Sequence, residues 1–132
     1  MREILFRGKR VDNGEWEYGS LVIQNGEHIS KTEVASDEYY IFGKRGEHCL
    51  INPSTVGQYT GLTDKNGKKI FDGNIIQSLE TKETAVVQWF PEHSAFIVWC
   101  KSSNELGFLY ECTKSNIEVI GNIHDNPELL EE

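Results

Sequence analysis

Three Asn-Gly pairs, Asn13-Gly14, Asn25-Gly26 and Asn66-Gly67, divide the chain into short segments rich in apolar and aromatic residues. Asn-Gly supplies the positive φ of a primed turn, whose twist matches that of two antiparallel strands. A chain punctuated in this way folds by hairpins. The segments between the turns agree: in Glu15–Ile23, Trp16 and Tyr18 point one way and Glu15 and Glu17 the other, the period-2 alternation of a half-buried strand. Gly19 inside that run marks a bulge or a close approach of another backbone.

The first hairpin is expected to pair Glu3–Arg7 with Glu15–Ile23 across Val11-Asp12-Asn13-Gly14. Tyr39–Phe42 and His48–Ile51 read as strands joined by Gly43-Lys44-Arg45-Gly46, and the polar Ser30–Glu38 reads as a loop. A second group follows Asn52-Pro53. Val56–Leu62 and Lys68–Phe71 flank the turn Asp64-Lys65-Asn66-Gly67, and Asp72-Gly73 leads into Asn74–Ser78. Ala85–Phe90, Ala95–Lys101, Leu106–Cys112 and Ile117–Ile120 complete the strands, with Leu106, Phe108, Tyr110 and Cys112 in alternation. Asn126-Pro127-Glu128 has the order of an N-cap, a first-turn proline and an early acid, which predicts a short C-terminal helix. The expected fold is all-β: an N-terminal β-hairpin subdomain over residues 1–52, then a small SH3-like β-barrel over residues 53–132, with that helix at its end.

Composition narrows the partners and the compartment. A chain of 132 residues buries roughly two-thirds of its unfolded surface and needs no disulfide or metal to fold. The formal net charge of -8 repels phosphate backbones and anionic lipid, so nucleic acid is disfavoured as a partner and a membrane is not expected. Cys49, Cys100 and Cys112 are too few and too widely spaced for a disulfide framework or a zinc site, and Cys112 reads as a small apolar residue. The opening Met1-Arg2-Glu3-Ile4-Leu5-Phe6-Arg7 breaks its apolar run almost at once, unlike a secretory signal, and no apolar stretch approaches a membrane span. The expected compartment is a reducing cytoplasm.

No catalytic constellation stands out. His28, His48, His93 and His124 have no histidine at metal-ligand spacing, and His124 beside Asp125 is a common surface pairing. Glu15 and Glu17 fit a solvated strand face. Asp64 and Asp72 sit where aspartate bonds its own turn, and Asp64-Lys65-Asn66-Gly67 lacks the alternating oxygen ligands of a calcium loop. No phosphate-binding glycine loop and no Gly-x-Ser-x-Gly elbow occurs. Catalytic, cofactor-binding and metal residues are therefore all expected to be none. Trp16, Trp89 and Trp99 lie on strands and read as core, with an exposed stacking platform as the alternative. Arg7-Gly8-Lys9-Arg10 and Lys65, Lys68 and Lys69 form two basic clusters, both read as solvated hairpin tips.

Val56 to Ile76 contains Gly57-Gln58-Tyr59-Thr60-Gly61, Asp64-Lys65-Asn66-Gly67 and Phe71-Asp72-Gly73-Asn74. This run resembles the signature of the YopX family. Phe6-Arg7-Gly8-Lys9 with Trp16, Tyr18 and Gly19 resembles that family's opening hairpin, and Glu118 to Leu130 its closing motif. Trp89 falls where the family tends to carry a tryptophan. The resemblance implies a small β-rich protein encoded by bacteriophages and prophages. It implies no enzymatic activity and transfers no catalytic or ligand residue. Similar proteins often carry an acid after the glycine of the central motif, where this chain has Asn74.

Three functions fit these observations. The leading expectation is a non-enzymatic phage or prophage accessory protein in the host cytoplasm. It would bind a protein partner or assemble with its own copies as a homo-oligomer through free strand edges. The second is a nucleic-acid-binding small barrel using Lys65, Lys68 and Lys69 with nearby aromatics, or an acidic protein that mimics DNA and inhibits a host enzyme. The third is an enzyme, which would require a polar pocket around His48 or His124 with a carboxylate.

Overall fold

A computed structural model describes residues 2–26 and 36–131, and among these described residues the hairpin signals translate into eleven strands. His28 and most of the Ser30–Glu38 segment lie outside the described residues. The chain divides into two compact units, Met1–Gln58 and Tyr59–Glu132.

In the first unit, β1 (Phe6–Lys9), which starts later than the expected Glu3–Arg7, and β2 (Trp16–Gln24) form the hairpin, with Phe6 opposite Gly19 and Lys9 opposite Trp16. The Asn13 side chain accepts the Glu15 N–H at 2.9 Å and so fixes the turn. β3 (Glu38–Phe42) pairs with β2, and β4 (His48–Ile51) pairs with β3, all antiparallel. The free side of β4 returns to the end of β1. Arg10 bridges Ile51, the Val11 N–H donates to Leu50 O, and the Asn52 N–H donates to Lys9 O. Ile41 and Ile51 are the largest fully buried side chains among the described residues of this unit.

β5 (Gly57–Thr63) starts beside β1, with Gly57 opposite Arg7. The chain therefore leaves the first unit inside β5 and not at Asn52-Pro53. The 3-10 turn Pro53–Thr55 belongs to the first unit because Thr55 Oγ1 accepts the Lys9 N–H at 2.8 Å.

In the second unit, the later part of β5 pairs with β6 (Lys69–Phe71). The remaining strands are β7 (Asn74–Ser78), β8 (Thr84–Phe90), β9 (Ala95–Cys100), β10 (Glu105–Phe108) and β11 (Ile117–Asn122). They form one antiparallel sheet in the order β10-β9-β8-β7-β11. Ile70, Ile76, Val87, Val98, Leu109 and Ile117 build the core against one face of that sheet.

Three expectations change here. The SH3-like barrel does not close: β10 and β11 stand at opposite edges of an open sheet. The turn Asp64–Gly67 occupies the outer side of β11, where a closing strand would pair. The Lys65 N–H donates to Ile117 O, and Asp64 Oδ2 accepts the Val119 N–H at 3.0 Å.

The strand expected over Leu106–Cys112 ends at Phe108, and Leu109–Cys112 forms a single α-helical turn, α1. Leu109 is fully buried, whereas Leu106, Phe108 and Tyr110 are exposed. A helical turn places residues three apart on one side. It thereby lets Leu109 and Cys112 enter the same core, which an extended strand would not.

The expected C-terminal helix is a 3-10 turn over Pro127–Leu130, without a side-chain cap. Asn126 Oδ1 instead accepts the Asn122 N–H at 3.2 Å, so the intended cap is already used.

Candidate functional site

The basic cluster at Arg7 to Arg10 is not a solvated tip. Arg7 is 7 % exposed, and its guanidinium lies 4.4 Å from the centre of the Trp16 ring. Lys9 approaches the same ring at 5.6 Å. Arg10 donates to both carboxylate oxygens of Asp12, at 2.9 and 2.8 Å, and to Glu17 at 3.3 Å. Glu17 is thus an ion-pair partner, while Glu15 stays exposed. Lys65, Lys68 and Lys69 are exposed as expected, and the Lys69 ammonium stands 5.3 Å from the Tyr59 ring centre.

Asp64 and Asn74 act inside the fold. Asp64 Oδ1 accepts the N–H groups of Asn66 and Lys68 at 2.8 and 2.9 Å. With Val119, three backbone donors converge on one carboxylate. Burial alone would raise its pKa, but the Val119, Lys68 and Asn66 donors and the Lys68 charge hold it below the ordinary value.

Asn74 is 3 % exposed. Its Oδ1 accepts the Phe71 N–H at 2.6 Å and its Nδ2 donates to Gly121 O at 3.2 Å. It therefore ties the end of β6 to β11. Asn74→Ala should cost about 2 kcal/mol in urea unfolding, since it orphans a buried donor and acceptor. Asn74→Asp keeps the acceptor for Phe71 but buries a carboxylate and sets its second oxygen against Gly121 O, so it should cost at least as much. A loss below about 0.5 kcal/mol for Asn74→Ala would refute this role.

Among the described residues, His48 and His124 make contacts that build the fold. His48 stacks on Phe42 at 4.9 Å with its ring nearly parallel, on the exposed face of the first sheet. That face carries Val22, Tyr40 and Leu50 in one row and Ser20, Phe42 and His48 in the next. The His124 N–H donates to Asn122 Oδ1, and Asp125 Oδ2 accepts from Asn122 Nδ2, which makes this pair part of a turn. Among the described residues, no group of three or more His, Cys, Asp or Glu side chains is placed to hold a metal ion. Cys112 packs against the core, and burial, with the Glu111 charge, pushes its thiol up, as suits an inert apolar role.

The tryptophans depart from the core reading. Trp89 is 47 % exposed, and Trp16 and Trp99 are half-buried. Trp99 Nε1 donates to Asn104 Oδ1 at 3.1 Å. Two of the four exposed large apolar side chains among the described residues of the second unit, Leu106 and Phe108, lie on β10; Trp89 and Tyr110 are the others. Register places Phe108 opposite Ile97 and Leu106 opposite Trp99, on the sheet face away from the core cluster. Phe90, His93, Ile97, Leu106, Gly107 and Phe108 enclose a groove of about 210 Å³. His93 lies 5.0 Å from the Phe90 ring and 5.8 Å, edge-on, from that of Phe108.

Leu106 is 60 % exposed and Phe108 48 %. Among the described residues no strand pairs with the outer edge of β10. An uncovered edge beside an apolar groove suits the recognition of an extended polypeptide. The sequence showed these residues as an alternating strand. It did not show that they lie at an edge, because strand order is a long-range property. No helix among the described residues is long and apolar enough to cross a membrane.

A family model described as YopX protein matches residues 5–131. No curated protein matches the chain. Among solved structures, it is similar to the crystal structure of protein EF1440 from Enterococcus faecalis. The two are 22 % identical with a TM-score of 0.56, and the match covers 99 % of this chain and 100 % of the other. At that identity the likeness concerns the fold.

Proposed function

This chain belongs to the YopX family, and from that membership we propose that it is a phage or prophage accessory protein that works by binding other proteins, not by catalysis. The observation that carries this reading is the pairing of an open strand edge at β10 with an exposed apolar groove. Apolar side chains as exposed as Leu106 and Phe108 are costly on an isolated surface when they sit together beside unpaired backbone. Covering by another polypeptide satisfies both the backbone and the side chains. The host cytoplasm is the proposed setting.

The nucleic-acid alternative has less support. Its first basic cluster is spent on Trp16, Asp12 and Glu17, and in the second Lys69 already stands over Tyr59. The experiment is light scattering on the purified chain together with affinity capture from phage-infected cells. The expected result is a defined oligomer or a stoichiometric protein partner. A strict monomer that recovers no protein would refute the proposal.

A further inference from the structure

Resting on the protein-binding reading above, we infer that the β10 edge takes up an extended segment of a basic partner, one that alternates apolar residues with lysine or arginine. The argument is charge added to strand geometry. Residues 59–132 carry twelve acidic and six basic side chains, so this unit holds six of the net eight negative charges. Two acids flank the open edge. Glu105 is the first residue of β10, and Glu92 lies in the turn beside His93 at the end of the groove. Both are exposed, and neither forms an ion pair among the described residues. The neighbouring lysines are already engaged. Lys101 Nζ donates to Leu130 O at 3.1 Å, and Lys114 lies 3.3 Å from the Glu111 carboxylate.

A strand added to β10 presents alternate side chains to opposite faces of the sheet. On the Leu106 and Phe108 face it meets the apolar groove, which calls for apolar residues. On the other face it meets Glu105, which calls for cations. A second copy of this chain is a poor occupant, because pairing β10 with itself brings the Glu105 and Glu92 charges of two acidic units together.

The test uses the full chain, isotopically labelled, with three nine-residue peptides. One alternates leucine and valine with lysine and arginine. The second replaces the basic residues by glutamate. The third is the basic peptide N-methylated at every other residue, so that one backbone edge loses its donors. The basic peptide should shift the amide resonances of Glu105–Phe108 and bind at least tenfold more tightly than either control. Leu106→Ser combined with Phe108→Ser should weaken that binding at least tenfold. If the pair lowers the melting temperature, Leu106→Ser alone, at a well-exposed position, serves the same purpose.

Equal binding of the glutamate peptide, resonance shifts confined to other strands, or a dimer abolished by the β10 variant would each overturn the assignment. Capture of protein partners that the β10 variant leaves untouched would overturn it too, while the broader protein-binding reading survives. A chain that binds no peptide, captures nothing and stays monomeric overturns both.

Discussion

Asp64→Ala should be the most damaging single change outside the apolar core, with a loss of about 4 kcal/mol in urea unfolding at neutral pH. Asp64 is 7 % exposed and its three bonds to backbone N–H groups are part-buried, so water replaces the lost carboxylate only incompletely. Two of them, the Asn66 and Lys68 N–H groups, shape the Asp64–Gly67 turn, where Gly67 adopts φ +79°. The third, from Val119, holds that turn against β11. The change thus releases the turn and strips the cover from one sheet edge together.

Asp64→Asn retains an oxygen for the turn but sets an amide N–H against the Val119 N–H, so its loss should be intermediate, about 2 kcal/mol. Acid titration supplies a second readout. Folding lowers the Asp64 pKa, so the stabilisation is complete above the ordinary value of 3.8 and is lost as pH falls toward the folded value. The stability gap between the parent and Asp64→Ala should therefore be constant near neutrality and narrow below about pH 4. A gap that stays constant into acid would remove the carboxylate from this role.

The same residue illustrates how far the sequence can be read. An aspartate two residues ahead of Asn66-Gly67 announces the local turn bonds, and those are present. The bond to Val119 joins positions 55 residues apart, and no local pattern contains it. Strand boundaries follow the same division. Asn74–Ser78 and His48–Ile51 fall where alternation and turn chemistry put them. Leu106–Cys112 fails because alternation records which residues share a face and not which face is buried. Leu109, the odd member of that run, proves to be the core residue, and its burial turns the chain into α1. The barrel fails for a related reason, since closure depends on which strands meet at the edges. The candidate surface was legible only as residues. Leu106 and Phe108 become a groove through Phe90, which ends β8, and His93, which lies in the turn after it. Arg7 misled in the opposite sense, because a charge beside a turn reads as solvated until an aromatic ring is found over it.

Gly19→Ala should destabilise the first unit by about 3 kcal/mol, although alanine is ordinarily no worse than glycine in a strand. The cause is distance. A Cβ at Gly19 would run into the carbonyl oxygen of Phe42 and stand 3.2 Å from Ile41 Cγ2. The carbonyl belongs to backbone on β3, so no rotamer change relieves the clash. The strands must separate where Ser20 faces Phe42, and Ile41, 2 % exposed, loses its packing with them.

The close-approach reading of this glycine is thus the correct one of the two that its position allows, since the β1–β2 register ends on it and the β2–β3 register begins at Ser20, neither with a shift. Gly107→Ala is the matched control. There the added Cβ meets only Val98 Cγ2, at 3.6 Å, an ordinary contact, so stability should change by less than about 0.5 kcal/mol. Hydrogen exchange locates the damage. Gly19→Ala should lower protection at the amides of β2 and β3, from Ser20 to Gln24 and from Glu38 to Phe42, and leave β7 to β9 protected. Equal losses for the two alanine variants would mean that the cost comes from replacing a strand glycine as such and not from the Phe42 carbonyl.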